Sequence, residues 1–266
     1  MTAITPFAEQ LDYGPVRFLH RLNPLAKIAA PLPAMVLLLL ARDVATPVTF
    51  AAIALVLLLV GAHLRPRAIL LLLVVLPLAV GVLSLSFGFW VDSAKLPDSP
   101  VLLQVGGIHF TVAAWMVGLA TATRLTSIIL LSLLAGLTST GADLVRAMVQ
   151  QLRVPYRIGY TALAAFRFVP RFGHELEVIR AAHRVRGMAG GRGLLAGTRR
   201  YLGYVVPLLA GAIRHAERVA LAMDSRAFGA HRIRTERHRI PFRLRDWMFM
   251  VLFWAATAAI FVLLPR

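Results

Sequence analysis

The sequence predicts an all-α, polytopic membrane protein with about five transmembrane helices and a long cytoplasmic helical module. Three observations predict it. Hydrophobic residues make up 59% of the 266 positions, and they fall in unbroken blocks where a soluble core would space them. The formal net charge of +17 is concentrated, because the stretch from Ser139 to Arg245 holds 20 of the 29 basic residues and six of the 12 acidic ones, a local balance of +14. Within that stretch two similar segments, Ala182 to Met188 and Ala222 to Gly229, each close an arginine-rich helical run, with Arg186 and Arg226 forty residues apart.

The apolar runs, in order, are Leu25 to Ala41, Val44 to Ala62, Ala68 to Trp90, Thr111 to Leu137 and Trp247 to Leu264. Each is near or above the roughly 20 residues a helix needs to cross ~30 Å of hydrocarbon. The first is the shortest, and Pro31 and Pro33 predict a kink or a short, partly buried helix there. It follows Arg17, Arg21 and Lys27 and has no small-residue cleavage pattern after it, so it reads as a retained span and not as a secretory signal. The chain thus divides into an N-terminal transmembrane region of four spans (1–137), a cytoplasmic region (138–245) and a C-terminal span (246–266).

Orientation follows from the connections. The N-terminal stretch, the second connection with Arg65 and Arg67, and the +14 stretch are basic. In the first connection Arg42 is cancelled by Asp43, and in the third Asp92 and Asp98 outweigh Lys95. The alternation puts the N-terminus inside and the C-terminus outside. The expected location is the bacterial or archaeal plasma membrane.

Inside the basic region, Leu144, Val145, Met148, Val149 and Leu152 keep helical spacing from Gly141, and Val154-Pro155 ends that helix. Pro155 to Arg171 is apolar on balance but carries Arg157 and Arg167, which predicts a segment at the interface or in a protein groove. Glu175 to Arg186 continues as an amphipathic helix stopped by Gly187, and the cluster of Gly190, Gly191 and Gly193 reads as a hinge-like turn. A second long helix is expected from about Arg199 to Ala227, kinked at Pro207 and stopped by Gly229.

Several chemistries are excluded. Cysteine is absent, so no disulfide or thiolate site exists. Both lysines follow alanine, so there is no phosphate-binding lysine motif, and any ATP hydrolysis belongs to separate chains. No two of the eight histidines are three or four residues apart, so no metal site is expected, and no cofactor. Nucleic acid would suit the charge, but confinement of that charge beside membrane spans argues for a cytoplasmic membrane face instead. Arg124 lies within the fourth apolar run, where an arginine costs ~2.5 to 3.5 kcal/mol on insertion scales. Two readings stand there: a buried contact to a carboxylate or to carbonyls of a neighbouring helix, or snorkelling toward the surface.

The residues resemble the transmembrane T component of energy-coupling factor (ECF) transporters, a branch of the ABC importers. The likeness rests on Phe18-Leu19-His20-Arg21-Leu22-Asn23-Pro24 with Lys27, on Arg124 to Pro155, and on Ala164-Ala165-Phe166-Arg167-Phe168-Val169-Pro170 through Gly187. Asn23 stands where the family usually has aspartate. The resemblance implies two crossed long coupling helices, each ending in an Ala-Arg-Gly-like triplet that enters a groove of one ATPase subunit. Here the triplets read Val185-Arg186-Gly187 and Ser225-Arg226-Ala227.

The implied partners are two ATP-binding ATPase subunits, identical or not, and one substrate-specific membrane subunit, all in the lipid bilayer. The implied role is non-catalytic: ATP-driven motion passes through the triplets to the substrate subunit, met by Tyr156, Tyr160, Phe166, Phe168 and Pro170. The implied cargo is a vitamin or a transition-metal ion, such as biotin or cobalt. Two readings from other classes are a membrane enzyme acting on lipid or isoprenoid phosphates and a stand-alone channel or carrier. The first calls for a cluster of metal-binding acids, whereas these are scattered singly; the second calls for polar residues in several spans, and only Arg124 is charged in the interior of one.

Overall fold

A computed structural model describes residues 17–91, 99–105, 108–187, 194–231, 235–236 and 238–264, and each predicted apolar run carries helix. The first run is divided into α1 (Pro24–Ala29) and α2 (Leu32–Leu38) by the Ala30-Pro31 step. A stripe at every fourth residue, Leu22, Ala26, Ala30, Ala34 and Leu38, is buried throughout and continues across the break. Asn23 caps α1, its Oδ1 accepting from the Leu25 amide at 2.9 Å, while Pro24 occupies a first-turn position that needs no donor.

The second run is α3 (Ala45–Gly61), buried along Phe50, Ala54 and Leu58. The third is continuous helix from Pro66 to Trp90. It comprises α4 (Pro66–Leu70), one π turn (Leu71–Val75) and α5 (Leu76–Trp90). The π turn ends two residues before Pro77, which has no amide hydrogen to give the preceding turn, so the backbone widens there.

The third connection holds an antiparallel β-hairpin that reading it as a plain connection did not foresee, β1 (Val101–Val105) with β2 (Ile108–Thr111), in the register Val105 to Ile108 and Leu103 to Phe110. The sequence carries its signal: apolar and β-branched residues flank the Gly106-Gly107 pair at two-residue hairpin spacing. Thr111 then caps α6 (Val112–Thr138), accepting from the Ala114 amide. The short helix α7 (Gly141–Gln151) follows, then two long helices, α8 (Tyr156–Val185) and α9 (Leu194–Asp224), and finally α10 (Leu244–Leu263).

Three helical stretches, Pro66–Trp90, Val112–Thr138 and Leu244–Leu263, are long and apolar enough to cross a membrane; Pro24–Leu38 and Ala45–Gly61 are shorter and apolar. The glycine cluster at 190, 191 and 193 lies outside the described residues.

The chain forms two compact units. One contains the described residues of Gln10–Leu144 and Ile240–Arg266. Its core joins the α1–α2 stripe to Phe50, Leu58, Leu130, Leu131, Leu134, Met250 and Phe253. Polar ties hold the helices in register. Asp246, 1% exposed, accepts from the Asn23 amide at 2.8 Å and the Arg243 amide at 2.7 Å, so one carboxylate caps the starts of both α1 and α10. Lys27, also 1% exposed, donates through Nζ to the Thr138 carbonyl at 2.9 Å at the end of α6. The backbones of α5 and α6 approach so closely that a Cβ on Gly118 would sit 2.2 Å from the Ser84 carbonyl oxygen.

Candidate functional site

The other unit contains the described residues of Val145–Arg239 and carries both arginine segments. The stretch from Pro155 to Arg171, expected at the interface or in a protein groove, is helical and continuous with the amphipathic helix after it: α8 runs as one 30-residue helix straight through Pro170. Its contacts with α9 pair early residues with late ones. Tyr156 meets Phe228 edge-on at 5.7 Å, Phe168 stacks on His215 at 4.5 Å, the Glu175 carboxylate lies over Gly211, and His183 meets Tyr204 at 5.1 Å. The two numbers in each pair sum to nearly the same value, which is the mark of antiparallel helices lying side by side. A Cβ on Gly211 would fall 2.8 Å from Glu175 Oε2, so the glycine leaves room for that carboxylate. Arg180 adds its guanidinium over Tyr201 and Tyr204 at about 6 Å from each ring.

Antiparallel packing sends the two C-terminal ends in opposite directions. Arg186 ends α8 beyond one end of the pair, and Arg226 follows α9 beyond the other, roughly 45 Å away for 30 residues at 1.5 Å per residue.

Both arginines hold the same place in a helix stop. Arg186 is the C-cap of α8 and is followed at once by Gly187 in the left-handed region, φ 69°. Arg226 is followed at once by Ala227, φ 53°. After α9 the Phe228 amide reaches back to the Met223 carbonyl at 3.0 Å, the bond that closes a helix end around a left-handed residue. All six triplet residues, Val185, Arg186, Gly187, Ser225, Arg226 and Ala227, are exposed, Val185 to 90%. Each cation therefore projects from a carbonyl-rich helix end, where the dipole favours it.

The five aromatic and proline residues expected to meet a substrate subunit all lie on α8. Phe166 and Pro170 are exposed. Tyr156, Tyr160 and Phe168 are half-buried and packed within this unit: Tyr156 and Tyr160 against Phe228, and Phe168 between His215 and Phe172. Arg124, in the other unit, donates through Nη2 to the Ala41 carbonyl at the end of the first helical run. Nearby, burial would raise the Asp43 carboxyl, but hydrogen bonds from the Thr46 side chain and amide, aided by the Arg124 charge, hold it below its usual value.

Sequence reasoning missed the residues that seat the Arg226 end. Gln150, Arg157, His231 and Glu236 bond across 72 to 88 positions, a separation that no local pattern reports.

Residues 15–240, with both helix stops, match the CbiQ family, described as cobalt transport protein. The chain belongs to the CbiQ family. Family members are transport proteins, not enzymes. The chain is 26% identical over 242 residues to the energy-coupling factor transporter transmembrane protein EcfT of Streptococcus equi subsp. equi, covering 88% of each. It is 27% identical over 258 residues to the protein of the same name in Streptococcus thermophilus, covering 92% of this chain and 94% of that one. To the EcfT protein of Staphylococcus aureus it is 26% identical over 171 residues, 61% of this chain and 64% of that protein. As a member of CbiQ, the chain is the membrane component of a transporter.

Proposed function

We propose that this chain is the transmembrane coupling subunit of an ECF-type importer. Arg186 and Arg226 each anchor one ATPase subunit, and α8 and α9 carry the motion of the ATPase pair to a separate substrate-binding membrane subunit. The observation that carries this reading is the equivalence of the two arginines. Each stands immediately before a left-handed residue at a helix end, fully presented, at opposite ends of an antiparallel pair. A solvated surface arginine has no need of such a matched setting. Two like grooves on a two-subunit engine do.

An arginine placed in such a groove makes charge-assisted hydrogen bonds worth roughly 1.5 to 3 kcal/mol to carboxylates or carbonyls. Closure of the ATPase pair on ATP then draws the two ends together or turns them about one another. The exposed Phe166 and Pro170, backed by Tyr156, Tyr160 and Phe168, offer the face on which the substrate subunit rides. The cargo is a vitamin or a transition-metal ion held by that other subunit; among the described residues here, no three His, Asp or Glu side chains come together as a metal site. The N-terminus and the basic unit face the cytoplasm, in keeping with the charge alternation of the connections.

The test is co-purification. Chains carrying Arg186→Glu or Arg226→Glu should each lose about tenfold or more in ATPase affinity, the reversal removing an attraction and adding a repulsion. The double variant should emerge from a detergent column alone. A double variant that still brings down both ATPase subunits in full yield refutes the anchor role.

A further inference from the structure

The segment leaving α9 is laced onto the corner between α7 and α8. Gln150 Nε2 donates to the His238 carbonyl at 2.8 Å, the Tyr156 hydroxyl to the His231 carbonyl at 2.6 Å, Arg157 Nη2 to the Gly229 carbonyl at 2.6 Å and the Tyr160 hydroxyl to Glu236 Oε2 at 3.0 Å. Phe228 fills the angle beneath, edge-on to both tyrosines at 5.7 and 6.2 Å. Gly229 is left-handed at φ 92°, and a Cβ on it would meet Arg157 Nε at 3.1 Å.

The corner is itself stiff. Leu152 and Val154 both donate to the Met148 carbonyl, with Arg153 left-handed at φ 56° between them. A Cβ on Gly159 would lie 2.1 Å from Val149 Cγ2, so α7 and α8 are already in close contact.

We infer that the lacing makes the Arg226 end and the α7–α8 corner one rigid body. A displacement applied at Arg226 reaches α7 and the start of α8 directly, with no need to travel the 31 residues of α9. Gln150 and Arg157 are positioning residues for that anchor. The two ends are therefore unequal: among the described residues, nothing lies within 4 Å of where a Cβ on Gly187, beside Arg186, would stand. Arg226 moves with α7, and Arg186 moves at the far end of α8. The inference rests on the proposed anchor role of Arg226.

Most of these bonds are exposed, and each alone is weak. The test therefore removes two together. The chain has no cysteine, so Leu152→Cys and Ala222→Cys place one nitroxide pair across the lacing. The distance between labels is measured in the complete complex in lipid nanodiscs, with and without ATP. In the otherwise unaltered chain, one narrow distribution should persist through both states. Gln150→Ala with Arg157→Met, which has no donor, should widen it about twofold, and Arg157→Lys in place of the methionine, which returns a donor to the Gly229 carbonyl, should narrow it again.

A nucleotide-dependent shift in the unaltered chain, or a double variant as narrow as the parent, overturns the rigid body. Arg226→Glu is the separate control. If it keeps the ATPase, the anchor role falls and the inference with it; if it loses the ATPase while the double variant stays narrow, only the lacing is wrong.

Discussion

Ala227 holds a left-handed backbone, φ 53°, at a position where glycine is the common choice. That conformation costs a residue with a Cβ roughly 1 to 2 kcal/mol. Ala227→Gly should therefore relieve strain at the Arg226 end, part of the gain being offset by glycine's freedom in the opened state. Ala227→Val, β-branched, should add strain of about 1.4 kcal/mol or more and speed local opening about tenfold. Amide exchange at Ser225 to Phe228 measures both, and equal rates in the two variants would contradict the assigned backbone.

His20 supplies a pH dependence. Its Nε2 accepts the His63 amide at 2.9 Å, a role only the neutral ring can fill. Burial lowers its pKa from the usual 6.5, and the charges of Lys27, His63 and Arg17 lower it further. The unfolded chain then binds the proton more readily than the folded one. Stability from this group is complete above about pH 6.5 and is lost as pH falls from there toward the folded value. The midpoint of thermal unfolding in detergent should drop across that window, and His20→Gln, which keeps a neutral side-chain acceptor, should flatten the drop.

At the scale of elements, close backbone approach is what glycine and serine contribute to the membrane-embedded unit. Gly118 admits the Ser84 carbonyl and the Gly88 backbone, whereas Gly136, on the same helix, has nothing within 4 Å of a Cβ. Gly118→Ala should push α5 from α6 and destabilise by about 1 to 3 kcal/mol. Gly136→Ala should be neutral or stabilising by up to ~1 kcal/mol from helix propensity. Thermal unfolding of the two variants side by side checks the sign of each.

The same contrast explains what the sequence made legible. Apolar blocks, Pro31, Pro155 and the two arginine stops are local signals, and they located the helices and their ends to within a few residues. The hairpin was passed over because its short strands lie in a connection scored only for charge. The full length of α8 is not legible because Arg157 and Arg167 interrupt an apolar stretch whose helix is held by packing on α9. The antiparallel register of α8 and α9, and the Gln150, Arg157 and Glu236 lacing, depend on residues 21 to 88 apart and have no local sign. For Arg124, hydropathy offered a buried contact or snorkelling, and choosing between them needed the Ala41 carbonyl, 83 positions away.

For the whole molecule, charge and helix length together constrain how the chain sits in the bilayer. The α6 helix has 27 residues and so is about 40 Å long, more than the ~30 Å hydrocarbon layer. Pro24–Leu38 is one end-to-end stretch of about 22 Å, tied at its start to the C-terminal end of α6 by Lys27 and Thr138. Arg124 receives the other end of that stretch about 21 Å along α6 from Thr138, the same length measured on the partner helix. With the proposed topology, the Arg42-Asp43 connection falls short of the outer surface, with Arg124 on the Ala41 carbonyl and the Thr46 amide on Asp43. Single cysteines in this cysteine-free chain read that depth. With a membrane-impermeant maleimide on intact cells, Arg65→Cys should stay unlabelled until the membrane is opened, because the proposed topology puts its connection in the cytoplasm. Ser99→Cys should label from outside at once. Arg42→Cys should label from outside too, but about tenfold or more slowly than Ser99→Cys, since the reacting thiolate is disfavoured where water is scarce. Labelling of Arg65→Cys on intact cells would invert the topology and put the two arginine anchors on the side where no ATP is found.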